Sequence, residues 1–229
     1  LQVCLDLFFD MLQNPGFDAD RLALAKSQSI QQMQRRNDAT RGIEGREFGR
    51  LMRGSEHFST SPRTRATVEA ITRDDMLAFH RRYYHPGNFI FAVSGDVDTE
   101  AMLSELERRL DGWTVVSDPV PTVPRPEFTP EPGLYLVDKP EVNQGRVSLG
   151  HLGTTRDDPD RYKLLVMNDI LGGGGFSARL LTRVRSDEGL AYSASSSFGV
   201  GVYYPGVFQA GFQSRSETVA RATAIVLEE

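Results

Sequence analysis

Arg185 and Tyr192 stand seven residues apart in Val184-Arg-Ser-Asp-Glu-Gly-Leu-Ala-Tyr192, and together they carry two kinds of hydrogen-bond donor. A guanidinium and a phenol can each donate hydrogen bonds to an acceptor oxygen. On residue types alone, the simpler reading is an ion pair of Arg185 with Glu188 or Asp187, with Tyr192 packed in a sheet. Just upstream, Leu171-Gly-Gly-Gly-Gly-Phe-Ser-Ala-Arg-Leu180 places Gly172, Gly173, Gly174 and Gly175 in a row. A glycine inside a helix or strand costs ~0.5–1 kcal/mol relative to alanine, so the four mark backbone that needs freedom or is approached closely. Context argues against a phosphate loop. A helical pattern rather than a strand precedes the glycines, and Phe176-Ser177 follows where Lys would be needed. A tight helix–helix turn is the plain alternative.

Metal chemistry finds little support. His80 and His85 are the nearest histidine pair, in His-Arg-Arg-Tyr-Tyr-His. A five-residue helical step turns about 500° and does not stack two rings on one face as a three- or four-residue step does. His57 and His151 are isolated, so all four histidines read as structural. Cys4 is alone, which excludes an internal disulfide and a cysteine-based zinc site. The net charge of −5 gives no basic stripe for a nucleic-acid backbone. Arg35, Arg36, Arg41, Arg46, Arg50 and Arg53 cluster, but Asp38, Glu44 and Glu47 interrupt them, as on a solvated helix face. No apolar run approaches the ~18 residues of a membrane span. The chain starts at Leu1 inside a helical pattern and ends in another, so both ends are expected to continue a longer protein and any targeting segment would lie outside it.

The elements that must position these residues follow from periodicity and punctuation. Helices are expected over 1–12 (stopped by Asn14-Pro15-Gly16), 20–36, 41–52 (ended by Gly54), 72–84 and 98–110. Thr72 and Asp75 form a capping box with Asp in place of Glu. Phe89–Val93 reads as a short apolar strand, and Trp113 as a cover over the helix before it. Between Ser117 and Pro132 six of sixteen residues are proline, which favours extended backbone and marks a linker over 117–133. Beyond it, 133–137 and 145–150 read as strands and 158–170 as a helix. Ser177 reads as the cap of a second helix carrying Leu180, Leu181 and Val184, Ala191-Tyr-Ser193 as the start of a strand, 199–211 as paired strands, and Ser216-Glu217 as the start of a last helix. The order around the glycines is thus helix, hinge, helix, strand. Helices and strands mix without strict alternation, so the expected class is α+β, as two sandwich lobes split at the linker.

Two long segments carry a family resemblance that extends over nearly the whole chain. One is Ala70-Ile-Thr-Arg-Asp-Asp-Met-Leu-Ala-Phe-His-Arg-Arg-Tyr-Tyr-His-Pro-Gly-Asn88 leading to Val93-Ser-Gly-Asp-Val97. The other is Leu171–Leu180 leading to Gly189-Leu-Ala-Tyr-Ser193. The sequence resembles the pitrilysin/insulinase family of zinc metallopeptidases, which includes the mitochondrial processing peptidases. The resemblance implies two related α+β lobes, with 1–116 the C-terminal part of the first and 134–229 the first part of the second. That family's zinc is held by an inverted H-x-x-E-H motif and a distal Glu, the motif Glu serving as general base. The motif is absent here, and the distal position falls on Gln32, whose neutral amide offers no charge to a dication. The resemblance therefore implies a half without zinc, paired with a homologous zinc-bearing subunit as a heterodimer, or self-associating. Arg185 and Tyr192 match the family's substrate-binding pair, and the glycine loop a mobile element that contacts extended peptide. The Ser193–Ser197 edge could add a peptide strand. Alternatives are an active zinc metalloendopeptidase with its motif upstream, and a structural subunit without a catalytic role. A bacterial periplasm is the compartment the resemblance suggests.

Overall fold

The computed structural model describes residues 1–116, 120–125 and 127–229; Ser117, Asp118, Pro119 and Pro126 of the proline-rich stretch lie outside the described residues. Along the chain run helices α1 (Gln2–Gln13), α2 (Ala19–Gln34), α3 (Thr40–Arg53), α4 (Arg65–Ala70), α5 (Arg73–Tyr83) and α6 (Thr99–Leu110). Strands β1 (Gln144–Leu152) and β2 (Thr154–Thr155) precede α7 (Arg161–Asn168) and the short α8 (Arg179–Leu181). Strands β3 (Ala191–Phe198), β4 (Val200–Gly201) and β5 (Val207–Arg215) lead to α9 (Val219–Glu228). They gather into two compact units, Leu1–Met33 with Arg63–Thr122, and Gln34–Pro62 with Val123–Glu229.

The first unit is helical and held by caps and charge. Thr72 accepts from the Asp75 N–H, while Asp75 accepts from the Thr72 N–H and hydroxyl, the capping box the sequence announces. Asp98 caps α6 through the Ala101 N–H at 2.8 Å. Arg109, nearly buried, donates to Asp6 of α1 and Glu105 of its own helix, and its guanidinium lies 5.5 Å from the ring centroid of buried Phe9. Hydrogen bonds from Arg108 and Arg109 hold the Glu105 carboxyl at about 2. His80 Nε2 donates to the Leu12 carbonyl at 2.7 Å, and Trp113 packs edge-on against Phe89 at 5.4 Å. Phe89–Val93 is extended but forms no strand; Ile90 stands 98% exposed. An apolar run dictates an extended backbone, and a ladder exists only where a neighbouring strand accepts it.

The second unit is built on an antiparallel sheet in the order β1-β5-β3, so β3 lies at an edge. Because side chains alternate across a strand, Val147 and Leu149 of β1, Ala210 and Phe212 of β5 and Ala194 of β3 share one face. Leu180, Val184, Ala222, Ile225 and Val226 close over that face as the core. The opposite face is polar. There Glu44 of α3 accepts from Arg146 and Ser148, and Arg146 also donates to Gln213. Residues 133–137, expected as a strand, have no strand partner among the described residues, and Leu134 and Leu136 stand 85% and 84% exposed. The molecule is mixed α/β, and no helix among the described residues is long and apolar enough to cross a membrane.

Candidate functional site

The four glycines are wound into structure rather than left as a hinge. From α7 the chain widens into a π turn over Asp169–Gly173, closed by the Gly174 N–H to the Asp169 carbonyl at 2.7 Å. A Cβ on Gly172 would come closer than 3.0 Å to the backbone N and hydroxyl of Ser196 on β3, so this glycine lets helix and strand meet. The contact is sealed by the Ser196 hydroxyl donating to buried Asn168 at 2.8 Å. Gly173 and Gly174 face Asn168 and Asp169 just as tightly, at 2.7 and 2.6 Å from an added Cβ, and Gly175 has φ +73°. The sequence expectation of a mobile loop thus meets three positions fixed by close approach and one by a left-handed backbone. Ser177 caps nothing: Ala178 takes the cap position of α8, without a side-chain bond, and Ser177 belongs to a 3-10 turn with Gly175 and Phe176.

Arg185 sits on a second π turn, Thr182–Asp187, continuing α8. Single π turns inside helices recur at functional sites because they re-aim side chains without ending the helix. Fully buried Val184 anchors this one against the sheet. The ion pair expected on residue types alone is not made. Glu188 is taken by Arg221, and Asp187 lies 3.7 Å from Arg183. Among the described residues no carboxylate lies within ion-pair distance of Arg185. Its guanidinium instead lies 5.0 Å from the ring centroid of Tyr192 and 5.5 Å from that of Phe176.

Tyr192 stands at a β-bulge. Ala191 pairs with Ser214 and Ala194 with Phe212, so Tyr192 and Ser193 together oppose Gln213. Following core-facing Ala191, Tyr192 points outward (84% exposed), and the extra residue keeps Ser193 exposed as well before Ala194 returns to the core. The expected sheet-packed tyrosine is therefore not found. Beyond the bulge Ser193, Ser195 and Ser197 face solvent, and the outer edge of β3 has no strand partner among the described residues.

Zinc does not fit the residues present. Gln32 is exposed on α2, where the first turn holds the only acidic residue, Asp20. His85 is buried with neither ring nitrogen partnered, and its ring lies beside Gly87. His57 is buried beside Tyr204, its Nδ1 bonded to Ser59 and its Nε2 without a partner. Burial and the charge of Arg53 hold the His57 imidazole below its usual pKa. Among the described residues no group of three or more His, Cys, Asp or Glu could hold a metal ion. Phe176 is the site residue that sequence patterns missed, because an aromatic beside glycines carries no periodic signal.

Comparison with known proteins gives the molecule its context. Residues 70–229 match the family model described as the peptidase M16 inactive domain. An uncharacterized zinc protease of Mycobacterium tuberculosis is 30% identical over 235 residues, covering 100% of this chain and 53% of the relative. The uncharacterized zinc protease YmxG of Bacillus subtilis is 27% identical, covering 96% of this chain and 54% of its own length. The chain thus spans about half the length of the curated relatives it matches. The crystal structure of a peptidase M16 inactive domain from Pseudomonas fluorescens superposes with a TM-score of 0.82 at 27% identity, over 98% of this chain and 55% of that one. A protease from Helicobacter pylori, at 19% identity and a TM-score of 0.72, shares the fold.

Proposed function

Since the chain belongs to the peptidase M16 family through that family's inactive domain, we propose that it binds peptide substrate for a homologous zinc-bearing half and cleaves nothing by itself. In this reading the chain holds parts of two related lobes, 1–116 and 134–229, joined by the proline-rich 117–133. Its partner is a second subunit, forming a heterodimer, or another half of the same longer polypeptide. The observation that carries the reading is the state of Arg185, a guanidinium with no carboxylate partner among the described residues, lying 5.0 Å from the Tyr192 ring centroid beside an open strand edge.

A cation–π contact uses no N–H donor to a carboxylate, so the N–H groups of the guanidinium remain available to a peptide carbonyl. The Tyr192 phenol can donate a second hydrogen bond to the same oxygen. The unpaired edge of β3 can bind the backbone of an extended segment with little regard to its sequence. This chain's residues would thus bind and orient the peptide. The zinc-bearing half would supply the metal-activated water.

The test is turnover of peptide by the full-length protein together with its zinc-bearing counterpart. Arg185→Ala is expected to lower kcat/KM roughly 10- to 100-fold, as for loss of a charged hydrogen bond of ~1.5–3 kcal/mol. Tyr192→Phe should act in the same direction with a smaller loss, and thermal stability should hold in both. Unchanged turnover in both variants identifies a scaffold and ends the proposal. The relatives' description as zinc proteases favours one further reading, in which the longer polypeptide carries its own metal. Stoichiometric zinc in the purified full-length protein alone supports it.

A further inference from the structure

We propose that Phe176 is a positioning residue: the glycine-rich turn is a rigid mount that sets this ring against Arg185, so that the guanidinium is presented to ligand from between two aromatic rings. Phe176 is 83% exposed, so its ring is open to solvent and within reach of a ligand. Its neighbours leave it little choice of place. Gly172 is pressed onto Ser196, Gly173 and Gly174 onto Asn168 and Asp169, and Gly175 turns the chain through a left-handed backbone directly before it. The 3-10 turn is then closed by the Ala178 N–H to the Gly175 carbonyl at 3.1 Å. At 5.5 Å from the Phe176 centroid and 5.0 Å from that of Tyr192, the guanidinium lies within cation–π range of both rings.

Two consequences follow. An arginine chain with several rotatable bonds is confined, so less freedom is lost when it grips an oxygen. The ligand chemistry is that of a carbonyl or carboxylate oxygen meeting the guanidinium edge, with apolar side chains stacking on the outer faces of the two rings. The cation–π contacts stand by themselves, whereas their effect on binding rests on the peptide-binding reading above.

Phenylglyoxal, which modifies arginine, separates the two when Arg185 is followed by peptide mass mapping in the full-length protein. Phe176→Ala and Phe176→Leu are both expected to speed modification of Arg185 by about two- to five-fold, the range of an exposed cation–π contact. Phe176→Tyr should keep the wild-type rate. Equal rates in all four proteins overturn the proposal, as does a Leu variant that behaves like wild type, because then only bulk matters. In the second arm a tryptic digest of casein is added in excess. It is expected to slow Arg185 modification in the wild type and the Tyr variant, and less so in the Ala and Leu variants. If the digest protects Arg185 in no protein while the Phe176 dependence persists, the peptide-binding reading fails and the mount stands. If it protects all four equally, the positioning role fails and peptide binding stands.

Discussion

At the residue scale the glycines separate into two physical cases that a stability series can tell apart. Gly172→Ala forces a Cβ into the β3 backbone and should cost ~1–3 kcal/mol, as other overpacked sites do. Gly175→Ala meets no atom within 4 Å, and its cost of ~1–2 kcal/mol should come from φ +73° alone. Gly175→Asn should therefore recover part of that loss, while Gly172→Asn should recover none. Urea unfolding midpoints read the difference, and a neutral Gly172→Ala would contradict the helix–strand contact. His57 gives a pH signature of definite sign. Its folded pKa lies below the unfolded value of 6.5, so the unfolded chain takes up the proton first as pH falls. Stability is fully present above about 6.5 and declines below it. His57→Gln should flatten the fall in melting temperature between pH 7.5 and 5.5; an unchanged slope would place the titration elsewhere. The sequence marked His57, His80, His85 and His151 as structural from spacing alone. It could not assign His80 to the Leu12 carbonyl, because that partner lies 68 residues away.

At the element scale, local chemistry was legible wherever the partner was local. The Thr72–Asp75 box, the Asp98 cap and the stop of α3 at left-handed Gly54 lie within a few residues of what they control. Thr72→Ala should cost about 1 kcal/mol by removing the α5 cap. Hydrogen bonds from Thr72 hold Asp75 below its ordinary pKa of 3.8, so the cap's stabilisation is present above that pH and lost as the carboxylate protonates below it. Acid titration followed by helical circular dichroism should show a local transition in the wild type that Thr72→Ala lacks. Elements that need a distant partner were less legible. Phe89–Val93 and 133–137 have the apolar content of strands, yet neither meets a ladder among the described residues. The β3 bulge is the same lesson in reverse. Nothing local in Ala191-Tyr-Ser193 foretells that two residues will oppose Gln213, since register belongs to the pair of strands.

At the scale of the whole molecule, the exposed apolar stretch around Leu134 and Leu136 has a direct consequence. Extended, uncharged and β-prone, it invites pairing between copies of the chain. Leu134→Lys with Leu136→Lys should raise the monomer fraction in size-exclusion chromatography and leave stability within ~0.5 kcal/mol, as for surface positions. A drop in stability of several kcal/mol would mean that the segment is buried in solution. What the sequence by itself determined is what depends on residue type and near neighbours: the helices and their caps, the lack of an H-x-x-E-H motif, the neutral amide at Gln32, and membership of the M16 family. What only the tertiary structure decided is which groups meet. Glu188 and Asp187 turned to Arg221 and Arg183, leaving Arg185 to two aromatic rings, one standing at a strand bulge and the other on a packed glycine turn. Ion pairs and cation–π contacts act over a few ångströms of space, and chain separation carries no measure of that distance until the sheet and its helices have closed.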